Sequence, residues 1–383
     1  MNFLRKEKSL LFSCKDGLLP KNFLNHAFLS GLDWNFVLRT AEVHRILPFL
    51  ALAFRRAGEL SELPPDIRAR MEVALQQASL ENLIKLSEFQ KFNSLFEAHN
   101  IPVIPLKGIA LTQLIYQESS VRRMGDIDIL IKETDLKKIK KLITEMGFKL
   151  KEGSSRWQTA LSRPLFGRAD YIKEGEVIDV QWRPRFFFGG KLIEWNTDRA
   201  WQNAFHFSFF EKNVFQLSSL DNIQYLLFQI CGDFEEGHLL WIQLLDTALM
   251  IKKSGVRWDG VLSYCAFNLP AASKKQIEIF VTLIREIYFE EKKEDEFSPE
   301  TREITERLLN GAPSASSLFG GRTFLKLATS PRDKIIFVAG YLFPNKGHNY
   351  LEHWRRLFLK MLKLVFPDKK KAGTREFSPR TGL

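Results

Sequence analysis

Apolar residues recur at intervals of mostly three and four between Asp66 and Asn100, a stretch without Gly or Pro: Leu75, Leu80, Leu83, Leu86, Phe89 and Phe92 hold the pattern. That period predicts a long amphipathic helix, and Pro65 suits its first turn. A shorter apolar-periodic segment runs from Trp34 into Ile46-Leu47-Pro48-Phe49-Leu50, and Ser61-Glu62-Leu63-Pro64-Pro65 separates the two. Residues 1–95 therefore read as a helical region. At Ile101 the texture changes. Ile101-Pro102-Val103-Ile104-Pro105-Leu106 is a short β-branched run ending at Lys107-Gly108, followed by a helical stretch from Ile109 to Tyr116. Asp126-Ile127-Asp128-Ile129-Leu130-Ile131 alternates carboxylates with apolar residues at its start and reads as a strand. A helix with Thr134 as N-cap and Gly147 at its C′ position comes next. Arg168–Ile172 and Val177–Trp182 then flank Lys173-Glu174-Gly175-Glu176, a hairpin signal.

The order strand, helix, strand, helix, hairpin makes residues 96–190 a small mixed α/β core. From about 191 to 366 the chain reads as helical again, with apolar-periodic segments at Asp221–Cys231, Leu239–Lys252 and Gln276–Glu290. Residues 367–383 read as a basic disordered tail. The fold class expected is α+β, a small mixed-sheet core between two helical regions.

Composition narrows the function classes. The 383 residues are 45% hydrophobic and 26% charged, with 33 Phe, which suits a chain with a sizeable core. No apolar run reaches the roughly 18 residues a membrane-spanning helix needs, and the N-terminus carries no convincing signal peptide, so a cytoplasmic protein is expected. Cys14, Cys231 and Cys265 lie far apart without CxxC spacing, which argues against a disulfide scaffold or a Cys-rich zinc site. The net charge is +11, and more than half of it lies in residues 351–383, where nine Lys/Arg face three acids. A basic tail is a weaker sign of nucleic acid than a basic groove.

The chemistry is concentrated at Asp126-x-Asp128. Residues i and i+2 of a strand share a face, so two carboxylates sit about 6–7 Å apart. Like charges that close call for a proton or a cation, and Mg²⁺ is the natural one: it takes one or two carboxylates plus phosphate oxygens. Read alone, the pair equally suits the solvated face of an edge strand. Its context favours a site. Lys107-Gly108 joins a strand to a helix N-terminus, a turn suited to phosphate, and Asp179 supplies a third carboxylate from its own strand, a set that suits phosphoryl transfer with two metal ions. Arg122 and Arg123 either clamp phosphates bidentately or form surface salt bridges.

At these residues the sequence resembles the uncharacterised nucleotidyltransferase family of bacteria, whose core is the polymerase-β-like nucleotidyltransferase fold. The resemblance rests on Ile101–Gly108, Leu111, Tyr116, Arg122, Gly125-Asp126-Ile127-Asp128-Ile129-Leu130, Gly147-Phe148 and Ile178-Asp179-Val180-Gln181-Trp182-Arg183. It extends to Trp34–Leu50, to Leu239-Leu240-Trp241 with Asp246, and to Arg332–Val365. It implies that Asp126, Asp128 and Asp179 are catalytic and hold Mg²⁺, with Mn²⁺ as an alternative, and that Gly108 lies against the triphosphate of an NTP; Lys107, Arg122 and Arg123 are further candidate nucleotide contacts on the reading of the residues themselves. The implied reaction moves a nucleoside monophosphate to a hydroxyl of a small molecule, glycan precursor or protein and releases pyrophosphate. Two departures stand out: Ile109 follows Gly108 where this fold usually has Ser, and Gln181 stands where the family pattern has His.

Other residues read more quietly. His44 and His238 are expected in structural roles, and no HxxxH spacing suggests zinc. Asp246, mid-helix among apolar residues, needs an Arg partner or faces the cleft. Residues 351–371 form an amphipathic basic helix that packs on the helical region, or else contacts a membrane surface or nucleic acid. The rival functions are a toxin-like enzyme acting on RNA or protein, a non-catalytic nucleotide-binding or scaffold protein in envelope polysaccharide or secondary-metabolite assembly, and a peripheral membrane protein anchored by its last helix.

Overall fold

The computed structural model describes residues 6–7, 10–11, 29, 31–116, 121–151, 166–209, 212–290 and 296–310. All of them fall in one of the chain's two compact units, Met1–Lys151 with Ser162–Leu327. The basic helix at 351–371, the closing segment Arg332–Val365, the tail and Cys14 lie outside the described residues.

Helix α1 (Trp34–Val43) starts at Asp33, whose carboxylate accepts from Phe36 N–H at 3.1 Å. The chain turns at His44 and at Arg45, which holds φ +59°, and re-enters helix as α2 (Leu47–Ala57). Helix α3 (Pro65–Ala98) is one 34-residue rod beginning at Pro65, as the sequence predicts. Its buried face departs from the expected one. Met71, Leu75, Ala78, Asn82, Lys85, Phe89, Phe92 and Phe96 repeat at alternating steps of four and three, while Leu80 and Leu83 are exposed. The polar Asn82 and Lys85 occupy core positions because each holds a neighbouring segment, described below.

Strand β1 (Val103–Pro105) leads into α4 (Lys107–Leu111) and a π-helical turn at Thr112–Tyr116. After β2 (Ile127–Ile131) comes α5 (Leu136–Glu145), then β3 (Lys149–Leu150), β4 (Arg168–Lys173) and β5 (Glu176–Gln181). Thr134 lies in a 3₁₀ turn, Glu133–Asp135, and Asp135 rather than Thr134 is the residue before α5; Gly147 takes the expected left-handed conformation, φ +90°. The five strands form a mixed sheet of order β1-β2-β5-β4-β3, parallel only between β2 and β5. One face, with Ile127, Ile129, Ile131, Ile178 and Val180, forms a core with the second half of α3 and with α5. The first half of α3 belongs instead to the larger helical core. The architecture is thus mixed α+β, as expected.

The stretch after 184 is not simply helical. Two hairpins, β6 (Arg185–Phe188) with β7 (Lys191–Glu194) and β8 (Phe205–Phe209) with β9 (Lys212–Gln216), bracket the short α6 (Thr197–Asn203). Gly189-Gly190, both at positive φ, close the first, and Phe186 and Phe188 alternate inward as a strand requires. Helices follow as expected: α7 (Ser219–Glu236), α8 (Trp241–Ser254), α9 (Trp258–Cys265), α10 (Ala271–Tyr288) and α11 (Pro299–Asn310). Among the described residues no helix is long and apolar enough to cross a membrane.

Candidate active site

Strands β2 and β5 run parallel with Asp128 directly opposite Asp179, and β4 places Asp170 opposite Asp179 on the other side. Residues paired in register point to the same side of a sheet, so one face carries a row of three carboxylates at strand spacings of about 5 Å. Asp126 lies in the bend just before β2, close enough to Asp128 for their charges to interact. The next row holds Gln181 opposite Arg168. Asp128, Asp179 and Gln181 are almost wholly buried, at 1%, 4% and 1% exposure.

Few groups balance this charge. Lys107 Nζ donates to Asp128 Oδ1 at 2.6 Å. Gln181 Nε2 donates to Asp179 Oδ2 at 2.7 Å, and Gln181 Oε1 accepts from Tyr225 Oη of α7 at 3.0 Å. The other oxygen of the carboxylate, Asp179 Oδ1, is buried and has no partner among the described residues. Burial pushes the Asp128 carboxyl well above the usual carboxylate range; Asp126 and Asp179 add to the rise and Lys107 opposes it. Asp179 is raised for the same first reason, with Arg168 and Lys107 pulling the other way. For Lys107 burial is the largest influence and works against the charge, but Asp128, Tyr225, Asp179 and Asp126 together more than offset it and hold the ammonium well above the usual lysine range. Arg168 and Tyr225 complete the electrostatic set: burial opposes the charge of the Arg168 guanidinium, but Asp179, Tyr225, Asp170 and Glu236 together outweigh it, and burial raises the Tyr225 phenol.

Among the described residues no three acidic, His or Cys side chains converge closely enough to enclose a metal ion by themselves. The donors nevertheless fit a hard cation. They are oxygens, one of them buried and unsatisfied, and Mg²⁺ ordinarily takes only one or two protein carboxylates and completes its shell with phosphate and water.

The expected phosphate contacts fare differently from one another. Packing leaves no room for a side chain at Gly108: a Cβ there would meet Arg122 Nη1 and Met124 Cγ, each at 2.7 Å. Arg122 gives its guanidinium to Asp246 of α8, from Nε at 3.0 Å and Nη2 at 2.8 Å, and Tyr116 Oη donates to the same carboxylate at 2.5 Å. Arg122 thus packs against Gly108 and serves as the partner that the buried Asp246 needs. Arg123 forms an exposed pair with Glu81. The loop between them is clamped by Asn82: its Nδ2 donates to Arg122 O at 2.6 Å and its Oδ1 accepts from Met124 N–H at 2.9 Å. Lys85 pairs with Glu176 at the head of β5. Next to this loop lie two surface cavities of about 450 and 390 Å³ that share Arg45 and Arg123; Gly125, the residue before Asp126, lines the smaller.

His44 is structural, as expected. It is buried, its Nε2 is 2.6 Å from Leu308 O and its Nδ1 accepts from Trp241 N–H at 3.3 Å, and burial lowers its pKa. His238, expected in the core, instead faces solvent beside Glu236, since it follows the C-terminal glycine of α7. Arg168 and Tyr225 escape sequence reading: nothing in a hairpin or an apolar helix marks them until the sheet register and α7 bring them to Asp179 and Gln181.

A family model described as "uncharacterised nucleotidyltransferase" matches residues 30–267, more than half of the chain and all of the sheet. The chain belongs to this nucleotidyltransferase family. No curated protein matches it significantly. Family membership makes the chain a transferase at the family level and gives the row of carboxylates a chemical context. Asp126, Asp128 and Asp179 all lie inside the matched span, as do Lys107, Gln181, Tyr225 and Asp246.

Proposed function

We propose that the chain is a Mg²⁺-dependent nucleotidyltransferase of polymerase-β-like fold that moves a nucleoside monophosphate from an NTP to a hydroxyl of a small molecule, glycan precursor or protein. The observation that carries this reading is the register of β2 on β5, which sets Asp128 beside Asp179, with Asp126 just before β2. Asp126, Asp128 and Asp179 would hold the divalent ion, which supplies charge neutralisation to the phosphates when bound.

The chain's own residues account for the rest. Lys107 and Arg168 bring positive charge to the carboxylate face from opposite sides of the Asp128–Asp179 pair. Gln181, fixed by Tyr225, holds one oxygen of Asp179 and leaves the other free to take the proton of the acceptor hydroxyl. The acceptor oxygen forms a bond to the α-phosphorus, the bond from that phosphorus to the bridging oxygen breaks, and pyrophosphate leaves with the electron pair. Asp246 and Arg122 position the Lys107-Gly108 turn.

The test uses the four NTPs labelled at the α-phosphate, Mg²⁺ and an extract of the source cells, with the purified chain beside its Asp126→Asn/Asp128→Asn variant. The expected result is label in a product with the wild type only, and no label there from γ-labelled NTP. Nucleotide binding equal in both proteins with no labelled product would overturn the catalytic reading and favour a nucleotide-binding scaffold.

A further inference from the structure

The carboxylate face already contains a cation, and the fold is built to keep it there. Lys107 Nζ lies 2.6 Å from Asp128 Oδ1, with a side chain only 15% exposed against a carboxylate only 2% exposed. The backbone that delivers it is unusual: Lys107 holds φ +46°, a left-handed conformation that strains a residue with a Cβ. Such a conformation persists when its surroundings impose it, and here they are visible. Gly108 has no room for a Cβ because Arg122 Nη1 and Met124 fill that space, and Arg122 is locked to the buried Asp246. The turn is wedged so that the ammonium points at Asp128.

The remaining oxygens divide unevenly. Asp179 Oδ2 is taken by Gln181, while Asp179 Oδ1 is buried without a partner among the described residues. The centre thus has one carboxylate served by a tethered cation and, next to it, one oxygen with no hydrogen-bond partner among the described residues. Among the described residues no three acid, His or Cys side chains enclose a metal ion by themselves.

We infer that this centre takes one divalent ion per nucleotide, and that the Lys107 ammonium stands where a second ion would otherwise sit. The inference rests on the nucleotidyl-transfer reading above. It replaces the two-ion scheme, in which each developing charge is met by a metal, with one ion and one fixed ammonium.

The test counts ions rather than turnover. The full chain is titrated with Mn²⁺ in the presence of one equivalent of an NTP analogue that cannot be cleaved between the α- and β-phosphates, and free Mn²⁺ is read by electron paramagnetic resonance. One bound Mn²⁺ per complex is expected for the wild type and for Lys107→Arg, and two for Lys107→Met and Lys107→Gln. Two ions in the wild type would overturn the inference and leave nucleotidyl transfer standing; so would one ion in both neutral variants with the analogue still bound. Should the neutral variants fail to fold, the wild-type count decides alone. Failure of the analogue to bind any of the proteins would overturn the transfer reading and this inference together.

Discussion

A carboxyl group buried beside other carboxyls has a stability cost whose sign can be worked out. In the folded chain Asp179 binds its proton more tightly than an ordinary Asp at 3.8, first because it is desolvated, so the folded state holds more protons than the unfolded one above that value. Its favourable contribution is complete below the unfolded value and is lost as pH rises through the folded one. At neutral pH, without divalent ions, the ionised group therefore destabilises the fold. Asp179→Asn is expected to unfold at a higher urea concentration than wild type at neutral pH, with the gain shrinking toward pH 4, and to lose transfer activity by at least about a hundredfold. Urea midpoints measured across pH check the first part; a less stable variant at neutral pH would contradict it. At this scale the sequence reveals the acids clearly, because strand alternation alone puts Asp126 and Asp128 on one face. It hides Arg168 and Tyr225, whose roles depend on register and on helix packing between segments far apart in the chain. At Gly108 the turn is legible but the packing is not, since the atoms that exclude a Cβ come from Arg122 and Met124.

Elements show where periodicity informs and where it misleads. The length of α3 follows from its uninterrupted pattern, but its inward face does not: Asn82 and Lys85 outrank Leu80 and Leu83 because a buried amide clamps the Arg122–Met124 loop and a buried ammonium pairs with Glu176. The hairpins between β6 and β9 are absent from a reading based on helical period, although Gly189-Gly190 and the alternating Phe residues around them carry the signal. Asp246 ties α8 to the core. Its carboxylate accepts from both Arg122 and Tyr116, so its removal strands a buried guanidinium and a buried phenol. Asp246→Ala is expected to cost about 3–5 kcal/mol in chemical denaturation. A loss within experimental error would show that α8 does not hold the Lys107-Gly108 turn through this pair.

For the whole molecule, the mixed α+β class and the position of the sheet in mid-chain are read from the order of elements, because the change from a period near four to a period of two is sharp at Ile101. The central claim is that the face formed by β2 and β5 is where an NTP and a divalent ion meet. A ligand that binds only the folded state raises its stability by about 2.7 kcal/mol at a hundred times its dissociation constant. The most direct measurement is the thermal unfolding midpoint of the full chain with Mg²⁺, with a non-hydrolysable NTP analogue, and with both, compared with the Asp126→Asn/Asp128→Asn variant. The midpoint is expected to rise most with both ligands together in the wild type and not to rise in the variant. An equal rise in the two proteins would place the nucleotide elsewhere and contradict the account.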